Sequence, residues 1–270
     1  TGTQKISPLI IMPDENIPLS FEQGGIEGSN NEVFKNKTDS TVFLFEHKNF
    51  FNGSGLRYIT HQFLLKDELF FLTADNGILE LWKTNGSKKG TIKVKNIYDP
   101  KDGVSAIRTL WFAKQRSEIY FFAQTLYNSC QLWKTDGTSA GTTKLKTFLT
   151  GVKENFSREH AFINKTLFFI FDTKEGYELW KTDRSSNGTV PVKNIFKGKS
   201  GSNPAYFKVV NNILYFSAND GIHGKELWRS DGTLKGTFMV KDILPGPDGS
   251  APEFLTDVNG KLFFNADDGK

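Results

Sequence analysis

LWRSDGTLKGTFMVKDI, residues 227–243, decides the fold, because the same chain writes the phrase three more times. The other copies read LWKTNGSKKGTIKVKNI from Leu81, LWKTDGTSAGTTKLKTF from Leu132 and LWKTDRSSNGTVPVKNI from Leu179. Their tryptophans, Trp82, Trp133, Trp180 and Trp228, stand 51, 47 and 48 residues apart, a spacing that marks a repeat architecture. A worn fifth copy lies 48 residues before Trp82, as Glu32-Val33-Phe34-Lys35 followed by Asp39-Ser40-Thr41, with Phe34 in the tryptophan's place.

Upstream of each tryptophan a second phrase recurs: ELFFLTADNG from Glu68, EIYFFAQ from Glu118, TLFFIFDTKEG from Thr166, ILYFSANDG from Ile213 and KLFFNADDG from Lys261. These apolar, aromatic runs read as strands. A shorter apolar stretch precedes each, joined to it by turn formers such as Asn211-Asn212 or Asn259-Gly260. One unit is therefore four strands: A (252–258 in the last copy), B (261–267), and, in the copy before, C (225–230) and D (237–243). Four antiparallel strands in about 48 residues predict a β-propeller blade, whereas a helical repeat would show a 3.6-residue period.

The expectation is one all-β domain over residues 1–270, a propeller of about six four-stranded blades. Its blades fall at about 7–46, 55–97, 105–148, 156–195, 202–243 and 250–270, the last incomplete. The chain is expected to be a window from a longer repeat array.

Composition agrees with strands and tight turns: 25 Phe and 25 Gly stand against 2 Met. The net charge of +4 is spread without a block of like charges, which argues against a nucleic-acid partner. No apolar run approaches the ~20 residues of a membrane-spanning helix. The single cysteine, Cys130, excludes an internal disulfide framework and a cysteine-based metal cluster.

The Asp-Gly-Thr-x-x-Gly-Thr segment lies between strands C and D, where a hairpin needs positive φ and side chains that bond their own backbone. Gly137, Gly141, Gly232 and Gly236 supply the first, and Asp136, Thr138, Asp231 and Thr233 the second. One Asp per turn is too few oxygens for calcium. Recurrence in every unit likewise makes Trp82, Trp133, Trp180 and Trp228 inter-blade packing rather than ligand contacts. Trp111, in strand A of one unit only, is a candidate to line a central channel.

The run Ala218-Asn219-Asp220-Gly221, followed by Gly-Lys-Glu-Leu-Trp-Arg-Ser-Asp-Gly-Thr-Leu-Lys-Gly-Thr, resembles the bacterial family named for its Glu-Leu-Trp-x-x-Asp-Gly-Thr repeat. The match is close from Leu69 to Lys270 and poor before Phe50. The resemblance implies a secreted or surface-attached, propeller-type, non-enzymatic module, with no catalytic residues to carry over.

No catalytic set stands apart from the repeat. The histidines His47, His61, His160 and His223 occupy unrelated positions, no phosphate-binding or nucleophile-elbow motif appears, and no cofactor is implied. A sialidase-like glycosidase would need an arginine cluster, for which only Arg57 and Arg108 fall at comparable points.

Binding is therefore expected where the units differ, in the B–C and D–A loops of one face. The candidates there are Asp75, Asn76, Arg57, Arg108, Trp111, Asp220, His223, Asp267 and Asp268. The expected partner is an extracellular protein or glycan. The alternatives are a scaffold in which end strands join neighbouring repeats by β-addition, and the glycosidase.

Overall fold

The computed structural model describes residues 31–35, 41–46, 58–66, 68–75, 78–85, 89–97, 106–125, 129–149, 159–173 and 176–270. Every named element among them is a strand. The elements gather into separate antiparallel sheets whose strands pair in chain order.

Four sheets are four-stranded. The first holds β3 (Tyr58–Leu65), β4 (Glu68–Asp75), β5 (Ile78–Thr84) and β6 (Ile92–Asn96); the second holds β7 (Ala106–Gln115), β8 (Glu118–Thr125), β9 (Ser129–Thr135) and β10 (Thr143–Leu149). The third holds β11 (His160–Ile163), β12 (Thr166–Thr173), β13 (Gly176–Thr182) and β14 (Val190–Pro191), and the fourth β15 (Ala205–Val210), β16 (Ile213–Asn219), β17 (Lys225–Ser230) and β18 (Phe238–Lys241). Two sheets are two-stranded: β1 (Asn31–Lys35) with β2 (Thr41–Glu46), and β19 (Glu253–Val258) with β20 (Lys261–Asn265). The all-β, blade-like reading therefore stands in coarse form, with strands A to D of each complete unit as neighbours in one sheet. Residues 7–30 of the expected first blade lie outside the described residues, and its described part, β1–β2, is the strand C and D half.

The A–B connections are tight because their residues tolerate left-handed backbone. Asn211 and Asn212 hold φ of 50° and 61°, and Asn259 and Gly260 hold 52° and 76°, the conformation a two-residue primed hairpin requires.

By contact the chain divides into two compact units, Thr1–Thr109 with Thr135–Thr142, and Leu110–Lys134 with Thr143–Lys270. In the first unit the Asp136 turn lies on the β3–β4 hairpin: Lys66 Nζ donates to the Asp136 carbonyl at 3.1 Å, and a Cβ on Gly137 would stand 2.8 Å from Phe70.

In the second unit strand B is buried on both faces, which explains its continuous apolar run. Leu167, Phe169 and Phe171 join Tyr120, Phe122, Leu132, Phe148 and Trp180 in one core cluster. Phe168, on the opposite face, joins Leu179, Val192, Leu214, Phe216 and Trp228 in another. Trp180 and Trp228 thus reach back to the preceding sheet. Lys146 Nζ lies 5.9 Å from the Trp180 ring and Lys193 Nζ 5.8 Å from that of Trp228. Trp133, Trp180 and Trp228 are buried, and Trp82 is half-buried.

Candidate functional site

The Asp-Gly-Thr turns are closed on themselves. In the second and fourth complete sheets Asp136 and Asp231 accept both the N–H and the hydroxyl of Thr138 and Thr233, and those hydroxyls accept from Gly141 and Gly236. A Cβ on Gly141 or Gly236 would run into the Asp carboxyl, which fixes glycine there. The Thr233 hydroxyl holds Asp231 below the usual carboxylate range. In the third copy Arg184 replaces the first glycine at φ 82°, a costly conformation for a side chain, and its guanidinium pairs with Glu118 of the neighbouring sheet.

The glutamate before Leu-Trp has a role that sequence reasoning missed. Glu226 is fully buried, and its two oxygens accept from Ile243 N (3.2 Å), Leu244 N (3.2 Å), Ser250 N (2.9 Å) and Ser250 Oγ (2.6 Å). Glu178 does the same one repeat earlier with Ile195, Phe196 and Ser202. Burial pushes the Glu178 carboxyl up, against the pull of those four donors. Each carboxylate pins the D–A loop that leads into the next repeat. The signal was present as a serine 24 residues after each of these glutamates.

At the same position in the earlier copies, Glu80 and Gln131 instead accept the indole N–H of Trp82 and Trp133, at 3.0 and 3.1 Å. Where the glutamate serves the loop, the Trp180 and Trp228 indole nitrogens are buried without a hydrogen-bond partner.

The pinned loops meet the B–C loops. Gly176 and Gly201 approach so closely that a Cβ on either would strike the other's backbone, and Gly224 and Gly249 repeat the contact. Asn219 N donates to the Ser202 carbonyl and Asp267 N to that of Ser250, each at 2.9 Å. Phe196 lies against Gly221, and Leu244 against Gly269. The B–C and D–A loops therefore share one end of these sheets, on a rigid base.

On that base stand the candidates of the B–C loops. Asp220 accepts from the N–H groups of Ile222 and His223 at 2.9 Å, and its Oδ2 lies 2.8 Å from His223 Nδ1. Partial burial works to raise the Asp220 carboxyl, but the His223 and Ile222 bonds outweigh it and hold it low; the bond to Asp220 raises the His223 imidazole. Asp267 and Asp268 are exposed and accept from Gly269 N and Lys270 N.

Asp75, Arg108 and Trp111 lie in β4, β7 and β7, with their side chains outside the described set, as is that of Phe34 in β1. Arg57 and Asn76 lie outside the described residues. Among the described residues no three His, Cys, Asp or Glu side chains are grouped to hold a metal ion. Burial raises the Cys130 thiol far above its ordinary range, which leaves it unreactive.

A second exposed feature went unrecognised in the sequence. Tyr206 and Phe254, equivalent residues on β15 and β19, hold φ of 57° and 55° at bulges in their strands and expose their rings. Tyr206 Oη donates to Glu253 Oε2 at 3.4 Å. Both rings are thus held out on left-handed backbone, that of Tyr206 beside a carboxylate.

No protein-family model matches the chain, and no curated protein matches it. Two solved structures of puromycin hydrolase, one of a mutant complexed with PGG, align with 96% of this chain at 14% identity and a TM-score of 0.42. The alignment takes in 41% of the hydrolase chain, so this chain spans less than half the length of the structures it is similar to.

Proposed function

We propose that the chain is a non-enzymatic binding module of the Glu-Leu-Trp-x-x-Asp-Gly-Thr type, a propeller of about six blades on a secreted or cell-surface protein, whose ligand is a protein or a glycan. The observation that carries this reading is the division of labour among polar groups. Motif residues of the repeat spend their hydrogen bonds inside the fold: Asp136 and Asp231 on their own turns, Glu178 and Glu226 on the D–A loops. The loop candidates Asp220, His223, Asp267 and Asp268 stand on the loop end those bonds hold, as a recognition surface requires.

A glycan array and a panel of extracellular matrix and cell-surface proteins test this, with Asp220→Ala/His223→Ala and Tyr206→Ala/Phe254→Ala variants beside the parent chain. Saturable binding lost in either variant is expected. Hydrolysis of a sialoside or other glycoside substrate by the parent chain would refute it.

A further inference from the structure

The residue two places before the repeat's tryptophan has two seats, and the repeats divide between them. Glu80 accepts the indole N–H of Trp82 at 3.0 Å and Gln131 that of Trp133 at 3.1 Å. Glu178 and Glu226 turn to the D–A loop, each accepting three backbone N–H groups and a serine hydroxyl. The indole N–H groups of Trp180 and Trp228 are then buried without a hydrogen-bond partner. Residues two apart on a strand share a face, so Glu226 and Trp228 lie on one face of β17 as Glu80 and Trp82 do on β5.

The residue opposite the tryptophan on strand D divides the repeats in the same way. Trp82 pairs with Lys93 and Trp133 with Lys144, whereas Trp180 pairs with Pro191 and Trp228 with Met239. Lys93 Nζ donates to Glu80 Oε1 at 3.0 Å, so the charge of that carboxylate is met while its other oxygen serves the indole. Gln131 has no charge to meet. Where strand D offers proline or methionine, the loop donors meet the charge instead, as a buried carboxylate requires. The ring differs with the seat: Trp82 and Trp133 stack on Phe71 and Phe121 at 14° and 9°, while Trp180 stands edge-on to Phe148 and Phe171 at 79° and 77°.

We propose that Glu178 and Glu226 are two-position latches: each holds the D–A loop closed in one position and, when the loop lifts, swings onto the indole of its own strand. Opening then leaves no buried carboxylate unpaired and satisfies an N–H that the closed state leaves bare. The loop therefore opens at lower cost than a clamp with one seat would allow. The movement reaches the B–C loops, because the Ser202 and Ser250 carbonyls accept from Asn219 N and Asp267 N. Anything that binds the shared loop end has a two-state element to bias. The latch belongs to the scaffold and is independent of which ligand, if any, that end takes.

The test is NMR of the full chain carrying Met239→Lys, which gives the fourth repeat the cation of the first. The Trp228 indole proton should move downfield while the amides of Ile243, Leu244 and Ser250 exchange roughly tenfold faster or more. The Trp133 indole, held by Gln131, should stay in place. Met239→Gln loses the same packing without adding charge, and an equal response there would overturn the proposal. Ser250→Ala removes a loop donor without touching the tryptophan's core, and it should move both signals in the same directions; it decides the matter if circular dichroism shows Met239→Lys unfolded. Faster loop exchange with an unmoved Trp228 indole proton, or no change in either signal, would overturn the proposal.

Discussion

Replacing Glu226 by Gln tests whether the repeat's glutamate is an architectural clamp. The carboxylate accepts four hydrogen bonds in a site with no solvent exposure, two on each oxygen: Leu244 N and Ser250 N on Oε1, Ile243 N and Ser250 Oγ on Oε2. Gln keeps the volume and one acceptor. With its oxygen at the Oε1 position, its amide nitrogen faces the Ile243 N–H, donor against donor, while the Ser250 hydroxyl can rotate to accept. One buried backbone N–H is then orphaned, at about 1–3 kcal/mol, and the two bonds kept lose the strength that charge gave them, about 1 kcal/mol together. The expected loss is about 2–4 kcal/mol in urea denaturation, with the amides of Ile243 and Leu244 exchanging faster while those of β12 and β13 keep their rates. Ser250→Ala, combined with Glu226→Gln in a double-mutant cycle, should show coupling. A loss below about 0.5 kcal/mol with unchanged exchange at residues 243–250 would refute the clamp.

Trp180→Ala should cost about 3–5 kcal/mol by denaturation, because its ring fills the core between two sheets; a cost under about 1 kcal/mol would mean the ring is not packing. Gly232→Ala forces a side chain to φ 89° and puts its Cβ 3.0 Å from Phe168, so a loss of about 1–2 kcal/mol or more is expected in the same assay. His223 should titrate by NMR above the ordinary imidazole range, and Asp220→Asn should return it there. The folded-state value being the raised one, the contribution of this pair is full below about pH 6.5 and is lost as pH rises through the folded value. An unshifted His223 would show that the ion pair does not form in solution.

Much of the scaffold was legible because its causes are local. The pairing of A with B is fixed by Asn259-Gly260 and its like, and the Asp-Gly-Thr turn is closed by bonds to residues two and three places on. Strand B announced its burial on both faces by reading Leu-Phe-Phe-Ile-Phe without a polar interruption. The functional surface was harder. Asp220 and His223 are three residues apart and could be singled out as a loop pair, but Tyr206 and Phe254 look in the sequence like any other strand aromatics. Their exposure follows from a bulge and a positive φ that no residue type in the stretch announces.

The amino-acid sequence by itself determined the repeat, its four strands and its hairpin chemistry, since these depend on periodicity and on bonds spanning a few residues. The tertiary structure alone decided what the repeat's polar and aromatic residues are for. Glu178 and Glu226 find their donors up to 24 residues away, and Trp180 and Trp228 find their cores on the preceding sheet. Such partners are chosen by the stacking of one sheet on the next, so residues that look interchangeable along the chain, Phe216 and Phe264 above all, end as buried core in one repeat and open surface in another.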